Sequence, residues 1–146
     1  DDAADRHLAM DFEKIAGTKG EPGEIEVLER TLKVQRKAPG VIWFDFDTLC
    51  GGNRSQNDYL EIAREHHTLI LSRVPRMSAG MASEARRFTW LIDVLYDHRV
   101  KLVVSAECQA YDLYREGHKA NEFLRTVSRL IEMRSRDYLA EAHRTE

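Results

Sequence analysis

Residues 67–107 decide the fold, and their sequence is HTLILSRVPRMSAGMASEARRFTWLIDVLYDHRVKLVVSAE. Within this stretch, 68–74 (TLILSRV) and 100–106 (VKLVVSA) are short apolar runs, and 82–99 is a long amphipathic run. Short apolar runs rich in β-branched side chains are typical of strands that are buried on both faces. Two such strands joined through a helix predict a βαβ unit with parallel strands and a right-handed crossover.

The residues before this stretch extend the predicted sheet. A helical stripe of apolar residues predicts a helix at 3–16. Over 24–37, apolar residues alternate with charged ones, which predicts short antiparallel strands with one solvent-exposed face. The apolar run 41–46 (VIWFDF) predicts one more buried strand. We therefore expect an α/β fold with an antiparallel N-terminal extension, flanking helices and a mixed sheet, whose parallel, Rossmann-like βαβαβ core contains the strands 41–46, 68–74 and 100–105.

Local signals predict the remaining helices. Ser55 followed by Asp58 is close to a capping box, so a helix should begin there. After the last strand we expect a short helix at 107–115, and then one long helix from residue 119 to about 142. All of these helices would lie on the faces of the sheet, within a single domain that covers 1–146.

The composition is that of an ordinary globular domain. The chain has 146 residues, of which 42% are hydrophobic and 32% are charged, and its formal net charge is −3. A chain of this length buries roughly two thirds of its unfolded surface. The negative net charge gives no indication of nucleic-acid binding. No apolar run approaches the ~20 residues of a membrane-spanning helix, so we expect no transmembrane segment.

The cysteines and the N-terminus predict a cytoplasmic location. Cys50 and Cys108 are isolated and form no C-x-x-C motif, which fits a reducing compartment. The first residues are acidic and lack the basic segment and the apolar run of a signal peptide. Because the sequence starts with Asp1 and not with Met, we expect a fragment or a processed product.

Polar residues follow the two strands of the βαβ unit. They occupy 72–75 and 105–107, and ligands of open α/β sheets usually bind beyond the carboxyl ends of the strands. Ser105 and Glu107 are therefore candidates for a polar site, and a small independent hydrolase there is one hypothesis. The alternative is helix capping, in which either side chain accepts hydrogen bonds from the free N–H groups of the next helix.

The sequence lacks the motifs of an independent nucleotide-hydrolysing site. G-x-x-x-x-G-K-[ST], G-x-G-x-x-G and G-x-S-x-G are all absent. A hydrolase that uses Cys108 and a distant histidine has little support, because single cysteines on helices are usually inert. A metal site has little support as well, since the spacings match no metal-binding motif. The potential ligands are Cys50, His66, His67, His98, Cys108 and His118.

Arginines on two predicted helices are the main candidate functional residues. They are Arg86, Arg87, Arg125 and Arg129. The last two are four residues apart, so they share one face of a helix. Guanidinium groups bind phosphate or carboxylate bidentately, and they can act on the active site of a neighbouring subunit. The alternative is ordinary ion pairing of Arg125 with Glu122 and of Arg129 with Glu132, each three residues away.

Ten short segments form a pattern that extends over most of the chain. In order, they are WFDFDTLC at 43–50, RSQNDY at 54–59, HT at 67–68, VP at 74–75, ARRF at 85–88, ID at 92–93, YD at 96–97, VKL at 100–102, SAE at 105–107 and FLRTVSRLIEM at 123–133. This pattern resembles the C-terminal part of the AFG-one-like AAA+ ATPases, a family that includes a bacterial cell-division protein. The predicted first helix and the strand pairs match that family more loosely.

The resemblance implies a longer parent protein, which is a homo-oligomeric P-loop ATPase that binds ATP and Mg²⁺. It also implies an FtsZ-like division protein as a candidate partner. This sequence lacks the P-loop lysine motif and the acidic Mg²⁺-binding strand, so the resemblance assigns it no nucleotide ligand and no cofactor of its own. The resemblance marks only positions that belong to the family's pattern, and the roles of these residues stay open. They are Asp58, Arg86, Arg87, Asp93, Glu107, Arg125 and Arg129.

Two hypotheses about function follow. In the first, the chain is the C-terminal module of such an ATPase, where it completes the ATPase core, contacts a neighbouring subunit or docks the substrate protein. The chain alone would then turn over no ATP, and the candidate arginines would act in trans or as sensors. In the second, the chain is a partner-binding adaptor that takes no part in ATP chemistry.

Overall fold

One mixed sheet of five strands forms the centre of the molecule. The computed structural model describes residues 2–146. In chain order, and side by side in the sheet, the strands are β1 Glu21–Val27, β2 Arg30–Ala38, β3 Val41–Asp45, β4 Thr68–Val74 and β5 Lys101–Ala106. The first three strands pair antiparallel, and β3, β4 and β5 pair parallel. The predicted α/β fold with its antiparallel extension and its parallel core is confirmed.

Helices cover both faces of this sheet. In chain order they are α1 Asp2–Ala16, α2 Phe46–Cys50, α3 Gln56–Glu65, α4 Ala82–Asp97, α5 Phe123–Glu132 and α6 Arg136–Ala140, with 3₁₀ turns at Ala79–Met81 and Ala110–Asp112. The predicted capping box begins α3, where Asp58 Oδ2 accepts a hydrogen bond from the Ser55 N–H at 2.8 Å. The side chains of α1 pack on one face of the sheet, and those of α2 to α6 pack on the other.

The predicted long helix from residue 119 to about 142 is wrong, because the chain turns between α5 and α6. Ser135 caps α6 by accepting a hydrogen bond from the Tyr138 N–H at 3.2 Å. The turn brings the Tyr138 hydroxyl to the end of α4, where it donates a hydrogen bond to the Val100 carbonyl at 2.6 Å and lies 3.2 Å from the Leu95 carbonyl. Burying an aromatic residue with its polar group satisfied stabilises the turn over a straight helix.

The predicted helix at 107–115 is also wrong, since only the 3₁₀ turn within it is helical. The Glu107 N–H donates to the Val74 carbonyl at 2.9 Å, and the Met77 N–H donates to the Leu113 carbonyl at 2.7 Å. These bonds hold the segment against the loop that follows β4, so its backbone is not free to close helical turns.

The main core lies between the sheet and α4. The apolar stripe of α4 is fully buried as predicted, and it consists of Phe88, Leu91, Ile92 and Leu95. Phe88 is central to this core, because its ring centroid lies 6.1 Å from that of Phe46 and 6.0 Å from that of Phe123. It thus joins α2, α4 and α5.

A smaller core lies on the opposite face, under α1. Leu8 and Phe12 of this helix pack on Val41, Trp43 and Ile70 of the parallel strands. The spacing of four residues between Leu8 and Phe12 places both on one side of the helix. The predicted amphipathic first helix therefore covers the sheet as expected.

Replacing Phe88 by alanine tests the joining role of its ring. We expect Phe88→Ala to lower the free energy of unfolding by about 3–5 kcal/mol, because it leaves a cavity that three helices share. Urea denaturation measures the loss. Tyr111→Ala is the matched control, since Tyr111 is 61% exposed and should change stability by less than ~0.5 kcal/mol. Equal effects of the two variants would contradict the packing described here.

Candidate functional site

A groove of about 640 Å³ lies between α4 and the segment that leads into α5. Its lining combines aromatic and charged side chains, including Arg86, Trp90, Asp93, Lys119, Glu122 and Phe123. Its volume is in the range of ligand-binding cavities, and the rings of Trp90 and Phe123 lie among polar and charged side chains. Two of the residues predicted from the sequence, Arg86 and Asp93, line it.

One wall of the groove depends on Gly117. This residue has a φ of +120°, and a Cβ there would lie 2.6 Å from the Tyr114 hydroxyl and 2.9 Å from the Ala79 Cα. Only glycine permits that backbone conformation and that close approach. The Tyr114 hydroxyl donates a hydrogen bond to the His118 carbonyl at 2.8 Å, which fixes the wall that carries Lys119.

Arg86 is an available cation of the groove. Its side chain is exposed, and its guanidinium lies 5.1 Å from the centroid of the Trp90 ring. No hydrogen bond or ion pair joins it to another residue within 2–146. A guanidinium that stacks on an aromatic ring keeps its donors directed outward, so Arg86 can receive an anionic group.

The neighbouring Arg87 is committed to the fold. Its Nε donates a hydrogen bond to the Cys50 carbonyl at 2.7 Å, and its terminal nitrogen lies 3.9 Å from Glu84. The first contact ties α4 to the end of α2. Although the two arginines are adjacent in sequence, only Arg86 faces the groove.

The two arginines of α5 also differ from each other. Arg129 forms a close ion pair with Asp93 of α4, and its guanidinium lies 4.9 Å from the Tyr96 ring centroid. The predicted alternative partner, Glu132, instead accepts a hydrogen bond from the Tyr96 hydroxyl. Arg125 is exposed, and the structure pairs it with no carboxylate in the part of the chain that it describes. Arg129 therefore neutralises one carboxylate of the groove, while Arg125 stays outside it.

Ser105 and Glu107 lie at the carboxyl end of β5 as predicted, but neither caps a helix. Ser105 Oγ accepts a hydrogen bond from the Arg73 N–H at 3.1 Å, and Glu107 Oε2 accepts one from the Arg76 N–H at 3.2 Å. Arg73 has a φ of +63°, a backbone conformation that residues other than glycine seldom adopt. The two side chains thus hold the end of β4 and the loop after it, and neither of them lines the groove.

Asp58 is a structural residue at the start of α3. Only 1% of it is exposed, and its Oδ2 lies 3.3 Å from a terminal nitrogen of Arg30 in addition to the capping contact. It therefore links the β1–β2 hairpin to α3. The structure does not bring Asp58 together with the candidate arginines.

Sequence reasoning missed a polar network where α1 crosses the ends of the parallel strands. Trp43 Nε1 donates to Ser72 Oγ at 3.0 Å, and Ser72 in turn donates a short hydrogen bond to Asp45. Arg73 bridges Asp45, at 3.8 Å, and Asp5 of α1, at 2.6 Å. The signal was present, because Asp45 and Ser72 stand at strand ends where ligands usually bind. Here α1 occupies that position.

The histidines and cysteines do not assemble into a metal site. Within residues 2–146, no group of three His, Cys, Asp or Glu side chains could hold a metal ion. His66 Nδ1 donates a hydrogen bond to the Ile62 carbonyl at 2.8 Å, and His143 Nε2 contacts the Ala63 carbonyl at 2.6 Å. Burial raises the pKa of the Cys50 thiol to about 12, so it stays protonated and unreactive.

Comparison with known proteins decides the family. A family model described as AFG1-like ATPase matches residues 1–142. The chain belongs to the AFG1-like ATPase family. The resemblance predicted from the sequence is thereby confirmed. Within residues 2–146, every helix of this family member is too short or too polar to span a bilayer.

Three relatives show how much of an AFG1-like protein the chain represents. It is 42% identical over 130 residues to the cell division protein ZapE of Escherichia coli, an alignment that covers 88% of this chain and 35% of ZapE. It is 37% identical over 91 residues to an uncharacterized protein of Schizosaccharomyces pombe, an alignment that covers 62% of this chain and 20% of that protein. It is 29% identical over 170 residues to Lactation elevated protein 1 homolog B of Danio rerio, an alignment that covers 92% of this chain and 34% of that protein.

The chain therefore spans about a third, or less, of the length of these curated relatives. No solved structure gives a significant match to it.

The half-buried His66, which caps the end of α3, predicts a specific pH dependence. Burial lowers the pKa of His66 below its ordinary value of 6.5. Since the unfolded chain then binds more protons than the folded chain, the free energy of unfolding should fall as the pH drops below about 6.5. His66→Gln should reduce this fall, as measured by urea denaturation from pH 8 to pH 5. If wild type and variant lose stability in parallel over that range, His66 does not contribute to the pH dependence of the free energy of unfolding.

Proposed function

We propose that this chain is a non-catalytic module of an ATPase linked to cell division, and that the groove between α4 and α5 docks a second polypeptide. Membership of the AFG1-like ATPase family and the similarity to the cell division protein ZapE support the first part. The ATP- and Mg²⁺-binding part would belong to the rest of a longer, cytoplasmic and homo-oligomeric parent. The docked polypeptide would be a neighbouring subunit or a substrate protein such as an FtsZ-like division protein.

The observation that carries the docking role is the unpaired Arg86 on the Trp90 ring. Because Arg129 neutralises Asp93, the cations Arg86 and Lys119 face only one further carboxylate, that of Glu122, in the groove lining. The groove therefore suits a segment that presents a carboxylate to these cations and an apolar side chain to the aromatic floor. A charge-assisted hydrogen bond of this kind contributes about 1.5–3 kcal/mol.

A second candidate function is an adaptor that takes no part in ATP chemistry. It is favoured by the internal contacts of Arg87 and Arg129, which occupy two of the arginines that could act on a neighbouring active site. In that case the groove would bind the target protein without affecting hydrolysis.

Substitution of Arg86 in the full-length parent tests the docking role. We expect Arg86→Ala to weaken either subunit assembly or target binding by about tenfold or more, because it removes a charge-assisted contact. Sedimentation velocity, a target pull-down and steady-state ATP hydrolysis measure the three properties. Arg64→Ala is the matched control, since Arg64 is an exposed arginine on α3, outside the groove.

The pattern of losses separates the two candidates. A joint loss of assembly and ATP hydrolysis supports docking of a subunit, and a loss of target binding alone supports the adaptor. If Arg86→Ala behaves like Arg64→Ala in all three measurements, the groove does not dock a polypeptide.

A role for Arg129 in the hydrolysis of ATP stays a prediction. In the parent, Arg129→Ala should lower ATP turnover by a larger factor than it lowers the folding equilibrium constant. Because Arg129 also pairs with Asp93, the double variant with Asp93→Ala measures how much of the stability loss comes from the unpaired carboxylate. Normal ATP hydrolysis by a folded and correctly assembled Arg129→Ala protein would exclude the role.

A further inference from the structure

A polypeptide that docks in the groove must carry a particular pair of side chains. It presents a carboxylate to Arg86 and Lys119 and, next to it, an apolar side chain to the ring of Trp90. The described residues, 2–146, contain four places where a large exposed apolar residue is directly followed by a carboxylate. They are Met10–Asp11, Leu28–Glu29, Tyr111–Asp112 and Ile131–Glu132.

In three of these pairs the carboxylate already has a partner in the same chain. The contacts are Asp11 with His7 at 3.8 Å, Asp112 with Arg115 at 3.2 Å, and Glu132 with the Tyr96 hydroxyl. Glu29 differs, because no hydrogen bond or ion pair joins its carboxylate to another residue within 2–146. Leu28–Glu29 is therefore the pair, in the described part of the chain, that is free to contact another molecule.

These two residues form the tip of the β1–β2 hairpin, which extends past the rest of the sheet. β2 pairs with β3 at residues 36–38, whereas it pairs with β1 over almost its whole length. Residues 30–35 therefore continue beyond the end of β3 by about 20 Å of strand. Arg30 lies 3.3 Å from Asp58 of α3, which fixes this arm. The tip is thus presented on a firm support, and this lowers the entropic cost of docking it.

The backbone of the tip is unusual for its sequence. Val27 pairs with Arg30, so the turn has two residues, and Leu28 and Glu29 have φ values of +48° and +69°. Asparagine and glycine are the usual residues where both positions of a hairpin turn need a positive φ. Since Leu28 is 48% exposed, packing within the chain does not explain a leucine here. Strained residues of this kind cluster at functional sites.

The charges of the groove match a single carboxylate. Asp93 is already paired with an arginine of α5. With the histidine of the lining neutral, Arg86 and Lys119 outnumber Glu122, the other carboxylate of the lining, by one positive charge. Glu29 supplies one negative charge, and it can bind bidentately because the Arg86 guanidinium keeps its donors free.

We propose that the Leu28–Glu29 tip docks into the groove of a second copy of this chain, with Glu29 on the cations Arg86 and Lys119 and with Leu28 against Trp90. A second copy is the occupant because one chain carries both the groove and the free pair of side chains that fits it. The proposal rests on the docking role proposed above and commits it to a neighbouring subunit. The contact joins two different surfaces, so each copy can both present a tip and receive one.

Two variants that each lack one side of the contact test the proposal. In sedimentation velocity, we expect the mass of the wild-type chain to rise with concentration, and we expect Glu29→Lys or Arg86→Ala to weaken self-association by about tenfold or more. The first variant keeps its groove and the second keeps its tip. An equimolar mixture of the two should therefore form a 1:1 dimer that grows no further. A contact between the tip of one copy and the groove of another predicts both the losses and this recovery.

Leu28→Asn separates docking from folding. Asparagine adopts a positive φ more readily than leucine, so the midpoint of urea unfolding should not fall. Self-association should still weaken by about tenfold or more, because the apolar contact is lost. Glu26→Lys is the matched control for the charge change, since Glu26 is an exposed glutamate of β1 outside the tip. Circular dichroism checks that all variants fold.

The results that would overturn the proposal are specific. They are a wild-type chain that stays monomeric up to about 1 mM, a Glu29→Lys variant that associates like Glu26→Lys, a Leu28→Asn variant that associates like the wild type, and a mixture that forms no dimer. In the full-length parent, loss of target binding in Arg86→Ala but not in Glu29→Lys would overturn this inference and leave the docking role intact. If Arg86→Ala behaves like Arg64→Ala there, the docking role itself fails.

Discussion

The burial of β4 on both faces is the constraint on which the rest of the structure depends. Leu69 and Leu71 point into the core under α4, and Ile70 points into the core under α1. A parallel strand with apolar side chains on both faces requires a helix on each side. The crossover through α4 and the first helix α1 meet this requirement, and they define the two surfaces on which the functional candidates lie.

The α4 side shows how neighbouring residues acquire different roles. Arg86 and Arg87 differ by one position, which is about 100° around a helix. That rotation turns Arg87 toward the carbonyl of Cys50 and leaves Arg86 on the Trp90 ring, facing solvent. A helix that is packed on the sheet along one stripe therefore separates an arginine that holds the fold together from an adjacent arginine that is exposed.

The α1 side explains why the strand ends, the usual ligand site of an α/β sheet, hold a structural network here. Arg73 reaches Asp5 across more than sixty positions of the chain. This contact and the Trp43–Ser72 hydrogen bond satisfy the polar groups at the strand ends. The groove lies instead between α4 and α5, where we propose that another polypeptide docks.

The sequence by itself determined the α/β class, the parallel strands and the buried stripe of α4, because strand and helix periodicity are local properties that burial imposes on the chain. It could not determine the break between α5 and α6, since Tyr138 leaves the helical path to reach carbonyls at the end of α4, some forty residues earlier. It named Arg86 and Arg129 alike, but their difference depends on Asp93, which only the packing of α5 on α4 brings into contact with Arg129. Pairing between distant side chains is a tertiary property, and it alone decided which charges were left unpaired.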